Sequence, residues 1–202
     1  MIIIEGEQND KRWEGLCCGS VGASSISKII TSKGKRSSQR EKYFDKIVSE
    51  ILSNEKDNTG YCSEGMLDGI KRESQTLEAF SLITGLETRR VSIIKPFKEA
   101  YYHCSPDSIG KENDEDFGVE VKSVQEKTQI KRLKQNKLPT EYVLQCQTSL
   151  LVSGWRTWYF FSYHPNQKHL LIKVDRDEIL IAKIKEEIES FILEVNNLTG
   201  RI

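Results

Sequence analysis

Asp107, Glu120 and Lys122 are the residues of this chain whose types and spacing suggest chemistry. Asp107 closes Ser105-Pro106-Asp107, and Gly118-Val119-Glu120-Val121-Lys122 follows across a turn. Residues 99–107 read as an extended strand, 110–116 as a polar turn outside the core, and 117–121 as the returning strand. Side chains two apart on a strand share a face, so Glu120 and Lys122 stand together while Val119 and Val121 take the buried face. Mg²⁺ takes oxygen ligands and keeps several waters, so one or two carboxylates and a substrate phosphate complete its shell. A neighbouring ammonium can orient a metal-bound water and offset charge as phosphorus is attacked. The same residues also describe a solvated hairpin with a cross-strand ion pair. The rest of the chain decides between the two.

The elements that must position this hairpin follow from local pattern. Ser24 is placed to N-cap a short helix over 24–31, and its Gly- and Ser-rich start would turn N–H groups toward an anion. A basic loop, 33–38, leads to a helix over 38–52 with Tyr43, Phe44, Ile47 and Ile51 as its apolar stripe. Residues 63–84 read as the longest helix, burying Met66, Ile70, Leu77, Phe80 and Ile83 and ending at Gly85. On that helix Glu73 is either a surface carboxylate or a third carboxylate delivered to the hairpin. Residues 87–94 read as the first strand of the sheet. The most basic segment, 127–137, would line up Lys127, Lys131 and Lys134 as a solvated face or as a track for a DNA backbone. A helix over 140–153, strands over 155–163 and 169–175, and an amphipathic helix from 176 complete the chain.

Composition narrows the class. At 202 residues and 23.2 kDa the chain reads as one domain, 1–202, with 37% hydrophobic and 30% charged residues. Thirty basic and thirty acidic residues cancel, so any field that attracts nucleic acid must be local. No apolar run is long enough to cross a membrane, and Glu5 and Glu7 follow Met1-Ile2-Ile3-Ile4 too closely for a secretory signal. Five scattered cysteines read as reduced, mostly buried thiols of a cytoplasmic protein. The alternation of helices and strands indicates a single α/β domain.

Taken together, the motifs resemble the phage lambda exonuclease type of PD-(D/E)XK nucleases. The match is carried by Trp13 with Gly19-Ser20-Val21-Gly22-Ala23-Ser24, by Gly69-Ile70-Lys71-Arg72-Glu73, by Ser105-Pro106-Asp107 with Glu120-Val121-Lys122, and by Tyr142, Gln145 and Gln147 followed by Gly154, Trp158-Tyr159-Phe160, Tyr163 and Pro165. The resemblance implies a central mixed β-sheet flanked by helices. It implies that Asp107, Glu120, the Val121 carbonyl and Glu73 bind two Mg²⁺ ions, with Mn²⁺ as a substitute. Lys122 would orient or activate the attacking water, and Gln145 would place that water or the scissile phosphate. Ser24 and Ser105 would contact the terminal and scissile-side phosphates. It further implies degradation of one strand of duplex DNA from a 5′ end, a homotrimeric ring, a single-strand annealing protein as partner, and a bacterial host cytoplasm.

One position departs from the family. An arginine expected about seven residues before Ser24, where it would hold a 5′-phosphate, is replaced by Cys17 or Cys18. A thiol cannot make the bidentate contact of a guanidinium. Arg12, Lys33, Lys35 and Arg36 are the nearby cations. The missing arginine points to a second reading, an endonucleolytic or structure-selective nuclease, and the neutral net charge to a third, a DNA-binding protein without turnover.

Overall fold

The computed structural model describes residues 1–57 and 64–201, with the backbone alone over 64–71. In chain order the elements are β1 (Ile2–Ile4), α1 (Lys11–Cys17), β2 (Val21–Gly22), a 3₁₀ turn (Ala23–Lys28), α2 (Arg40–Ser53), α3 (Glu64–Thr84), β3 (Thr88–Arg89), β4 (Ile93–Lys95), β5 (Tyr102–His103), β6 (Ser108–Glu112), β7 (Glu115–Ser123), α4 (Glu126–Gln135), α5 (Thr140–Ser153), β8 (Thr157–Tyr163), β9 (Leu170–Asp175) and α6 (Glu178–Thr199). Five strands form the central sheet in the order β3-β6-β7-β8-β9. All its pairings are antiparallel except β7 with β8, which are parallel and joined through α4 and α5. Only a crossover can connect parallel neighbours, and these two helices supply it.

The sheet is covered on both faces. On one, Ile109, Trp158, Phe160 and Val174 pack against Cys146 and Leu150 of α5 and Ile181 of α6. On the other, Phe117, Val119, Val121, Tyr159 and Phe161 pack against Leu77 and Phe80 of α3. A third cluster joins α2, α6 and the 3₁₀ turn through Ile26, Tyr43, Ile47, Ile188 and Phe191. Gly118 is required where β7 meets β8, because a Cβ there would lie 2.3 Å from the Trp158 ring. The layers are those expected for a PD-(D/E)XK core.

Several boundaries differ from the sequence reading. The first arm of the hairpin is β6, which begins after Asp107; in 99–107 only β5 pairs, with β2, and Cys104 bridges Ile94. The arms turn at Asn113-Asp114, where both residues have positive φ, so the polar segment 110–116 lies largely within paired strands. The strand expected at 87–94 is divided: β3 joins the central sheet and β4 pairs with β1. Ser24 lies inside the 3₁₀ turn, whose cap residue is Gly22, rather than capping a helix. Ile83 is exposed, and α6 with 22 residues is one longer than α3. The expected burial of Met66 and Ile70 falls outside the described side chains. The helix expected over 140–153 is present at those bounds, started by Pro139 and stopped by Gly154 in the left-handed region.

Candidate active site

Register brings the three lead residues together. Ser108 pairs with Val119, and the Asp107 N–H donates to the Val119 carbonyl at 3.1 Å, so Asp107 faces Glu120 one step beyond. The Val121 N–H donates to Asp107 Oδ2 at 2.6 Å. Glu120, 3% exposed, is gripped on both oxygens: Lys122 Nζ lies 2.5 Å from Oε1, and Gln145 Nε2 donates to Oε2 at 2.7 Å. Gln145 comes from α5 on the covering layer, so the cluster spans sheet and helix. Gln147, two residues on, is structural: it donates to the Asp175 carbonyl and accepts from the Asp177 N–H, joining β9 to α6.

The electrostatics follow from burial and crowding. Burial, then the Glu120 charge, pushes the Asp107 pKa well above the usual carboxylate range; the Glu73 charge adds to this and Lys122 opposes it. Burial works against the Lys122 ammonium, but Glu120 and Asp107 outweigh it and hold the pKa above the ordinary lysine range. The site thus carries adjacent carboxylates whose mutual repulsion one lysine does not relieve. An oxygen-only donor set with surplus negative charge fits a hard divalent cation such as Mg²⁺. Glu73 pairs with Arg90 at 3.3 Å. Among the described residues no three His, Cys, Asp or Glu side chains converge into a ready-made metal cage.

The segment leading to Asp107 is pinned from the N-terminal region. Gln8 Nε2 donates to the carbonyls of Val91 and Pro106, and Trp13 Nε1 donates to Ser105 Oγ at 3.0 Å. Ser105 and Gln145 also line a cavity of about 190 Å³, whose wall includes Ser24, Lys46, Lys56, His103 and Cys17. The structure therefore brings Ser24 and Ser105 to one cavity beside the carboxylates. The two lysines were not singled out by sequence, where they sit on an ordinary amphipathic helix and just after it. They flank the buried Glu50, at 3.7 and 3.5 Å. Burial, then the charges of Lys46 and Lys56, lowers the pKa of nearby Lys28. Arg12, Lys33, Lys35 and Arg36 do not line the cavity, and Arg36 is engaged by Glu187.

Lys127, Lys131 and Lys134 lie exposed along α4, within about 60° of one another on the helical wheel. The opposite side of α4 is buried through Gln129 and Arg132. Among the described residues none of the three lysines makes an ion pair, whereas Arg132 on the buried side pairs with Glu141.

A family model for the YqaJ-like viral recombinase domain matches residues 12–156. The alkaline exonuclease LHK-Exo from Laribacter hongkongensis is similar in structure, with TM-score 0.83 and 22% identity over 95% of each chain. Its complex with dAMP gives 0.82 at the same identity and coverage. A phage related exonuclease from Haemophilus somnus 129PT gives 0.65 and 14% identity over 90% of this chain and 95% of that one. No curated protein matches the chain. The fold is that of the PD-(D/E)XK class. Within it, the chain belongs to the YqaJ-like viral recombinase domain family.

Proposed function

We propose that the protein is a Mg²⁺-dependent exonuclease that degrades one strand of linear duplex DNA from the 5′ end in phage-type recombination. The observation that carries this reading is the Asp107–Glu120–Lys122 cluster closed by Gln145. Asp107, Glu120, the Val121 carbonyl and Glu73 are the candidate oxygen ligands. Bound metal supplies Lewis-acid stabilisation of the attacking and leaving oxygens. Lys122, held protonated by its carboxylate neighbours, orients the attacking water, and Gln145 fixes Glu120 and the phosphate-side geometry. Water oxygen bonds to phosphorus as the P–O3′ bond breaks. The released nucleotide carries the 3′-hydroxyl and the remaining strand a new 5′-phosphate.

The cavity next to the cluster supports the polarity. Ser24 offers its hydroxyl to the terminal phosphate and Ser105 to the backbone near the cut, and Lys46 and Lys56 supply the charge that the family's arginine gives elsewhere. Lys127, Lys131 and Lys134 follow the DNA backbone. On the family resemblance the protein assembles as a homotrimer, works with a single-strand annealing protein, and acts in the bacterial cytoplasm; among the described residues no helix is long and apolar enough to cross a membrane.

The test uses linear duplex DNA labelled at one 5′ end, with and without Mg²⁺, beside supercoiled circles. Metal-dependent loss of linear DNA with circles intact is expected, faster on 5′-phosphorylated ends. Asp107→Ala and Glu120→Ala should each lower cleavage by at least about 10³-fold while remaining folded. Full activity in either variant sinks the reading. Nicked circles favour an endonuclease, and duplex binding without any product favours a non-catalytic binder.

A further inference from the structure

Lys122 is held from two sides. Glu120 pairs with its ammonium, and the same ammonium lies 5.5 Å from the centroid of the Tyr142 ring. A second cation contacts that ring: the Arg132 guanidinium carbon is 5.2 Å from the centroid. Phe160 packs on Tyr142 at 4.9 Å. Arg132 Nη2 donates to the Tyr142 hydroxyl at 3.1 Å and Nη1 to Ser162 Oγ at 3.0 Å. Ser162 is the β8 partner of Lys122 itself. The contacts therefore run from Lys122 through Tyr142, Arg132 and Ser162 back to the strand position of Lys122.

Arg132 is an unusual residue to find here. It is 5% exposed, yet its ion-pair partner Glu141 is 3.7 Å away and mostly exposed. A guanidinium cannot shed its charge, and burying it is unfavourable unless its donors are satisfied. An apolar side chain would fill the same space with a smaller penalty. What arginine adds is direction, since its planar fork fixes Ser162 and the Tyr142 hydroxyl together.

We infer that Tyr142 and Arg132 are positioning residues for Lys122. Arg132 sets the Tyr142 ring through its hydroxyl, and the ring face holds the ammonium at Glu120. A lysine stem is flexible, and one carboxylate contact leaves it free to pivot. Glu120 is also a candidate metal ligand, so its charge is shared. The ring face attracts the cation without competing for metal or proton. The kinetic arm of the test rests on the hydrolytic role proposed for Lys122; the spectroscopic arm does not.

Three variants separate the contributions. Tyr142→Leu removes the ring, Tyr142→Phe removes only the hydroxyl, and Arg132→Lys keeps a charge but loses the fork. On linear duplex DNA, Tyr142→Leu is expected to lower kcat about tenfold with KM changed less than about twofold. Tyr142→Phe and Arg132→Lys each lower kcat about threefold, and the double variant falls no further than Arg132→Lys, which already lacks the hydrogen bond that Tyr142→Phe removes. In carbon-13 spectra of labelled lysine, the Lys122 ε-methylene should lie upfield from the ring current and return toward the other lysines in Tyr142→Leu. An unchanged kcat in folded Tyr142→Leu, or additive losses in the double variant, overturns the inference. If Tyr142→Leu does not fold, the Phe and Lys variants decide it through the cycle. If the wild-type protein cleaves nothing, the nuclease reading fails separately. A Lys122 signal at the ordinary lysine position, or one indifferent to both Tyr142→Phe and Arg132→Lys, then overturns the positioning.

Discussion

Asp107 sits in surroundings that disfavour its charged form. Its pKa is raised by burial and by the Glu120 charge, so without a cation the acid binds a proton more readily than an ordinary aspartate. A metal ligand must be the carboxylate, so loading Mg²⁺ should expel protons. The release is largest below the raised pKa and fades as pH climbs through it. Titration calorimetry in two buffers of different ionisation enthalpy measures it directly. Asp107→Asn should abolish the release and, at pH above the raised pKa, raise the metal-free stability and the Tm by removing one of two crowded carboxylates. A metal-free variant less stable than wild type would show that the Asp107 hydrogen bond to Val121 outweighs the repulsion.

Among the elements, the short parallel pair β2–β5 depends on a buried histidine. His103 is 4% exposed and shares a 2.9 Å hydrogen bond with Ser20 Oγ. Burial, then the nearby Lys56 and Lys95 charges, push its pKa down to about 3. The folded state therefore binds fewer protons than the unfolded state, whose histidine titrates near 6.5. The contribution to stability is complete above about pH 6.5 and is lost as pH falls toward 3, at up to about 1.4 kcal/mol per pH unit. Melts of wild type and His103→Asn across that window should converge as pH drops; parallel curves would mean that His103 is not responsible. Element by element, the regular patterns were legible. α5 and β7 announced themselves by Pro139, Gly154 and alternating valines, and strand alternation alone placed Glu120 beside Lys122. β6 was hidden because Ser108-Ile109-Gly110-Lys111-Glu112 carries little apolar pattern and its turn contains no glycine. The aromatic run before Asp107 looked more like a strand than it is. Lys46, Lys56 and Arg132 reach their places through packing between distant segments, which no local pattern encodes.

At the scale of the molecule, a net charge of zero conceals an uneven surface. The exposed lysines of α4 form a positive track directly after the strand that carries Lys122. Replacing Lys127, Lys131 and Lys134 together by alanine should weaken duplex binding uniformly across sequences. The slope of log K against log salt should become shallower by up to about 2.7, from roughly 0.9 per phosphate contact, while kcat at saturation holds. Anisotropy titrations at several salt concentrations check this, and an unchanged slope would remove α4 from the DNA path. The parallel pairing of β7 with β8 carries a consequence of another kind. Asp107, Glu120, Lys122 and Gln145 are all synthesised before β8, yet β7 remains a sheet edge until β8 arrives beside it. Ser162 and Phe160, which anchor Arg132 and Tyr142, also belong to that late strand. A nascent chain emerges N-terminus first, and parallel pairing across a long crossover forms slowly. The unfinished polypeptide on the ribosome thus holds Asp107, Glu120, Lys122 and Gln145 before the strand that completes their surroundings is made. Completion of the candidate site is tied to the order of the strands.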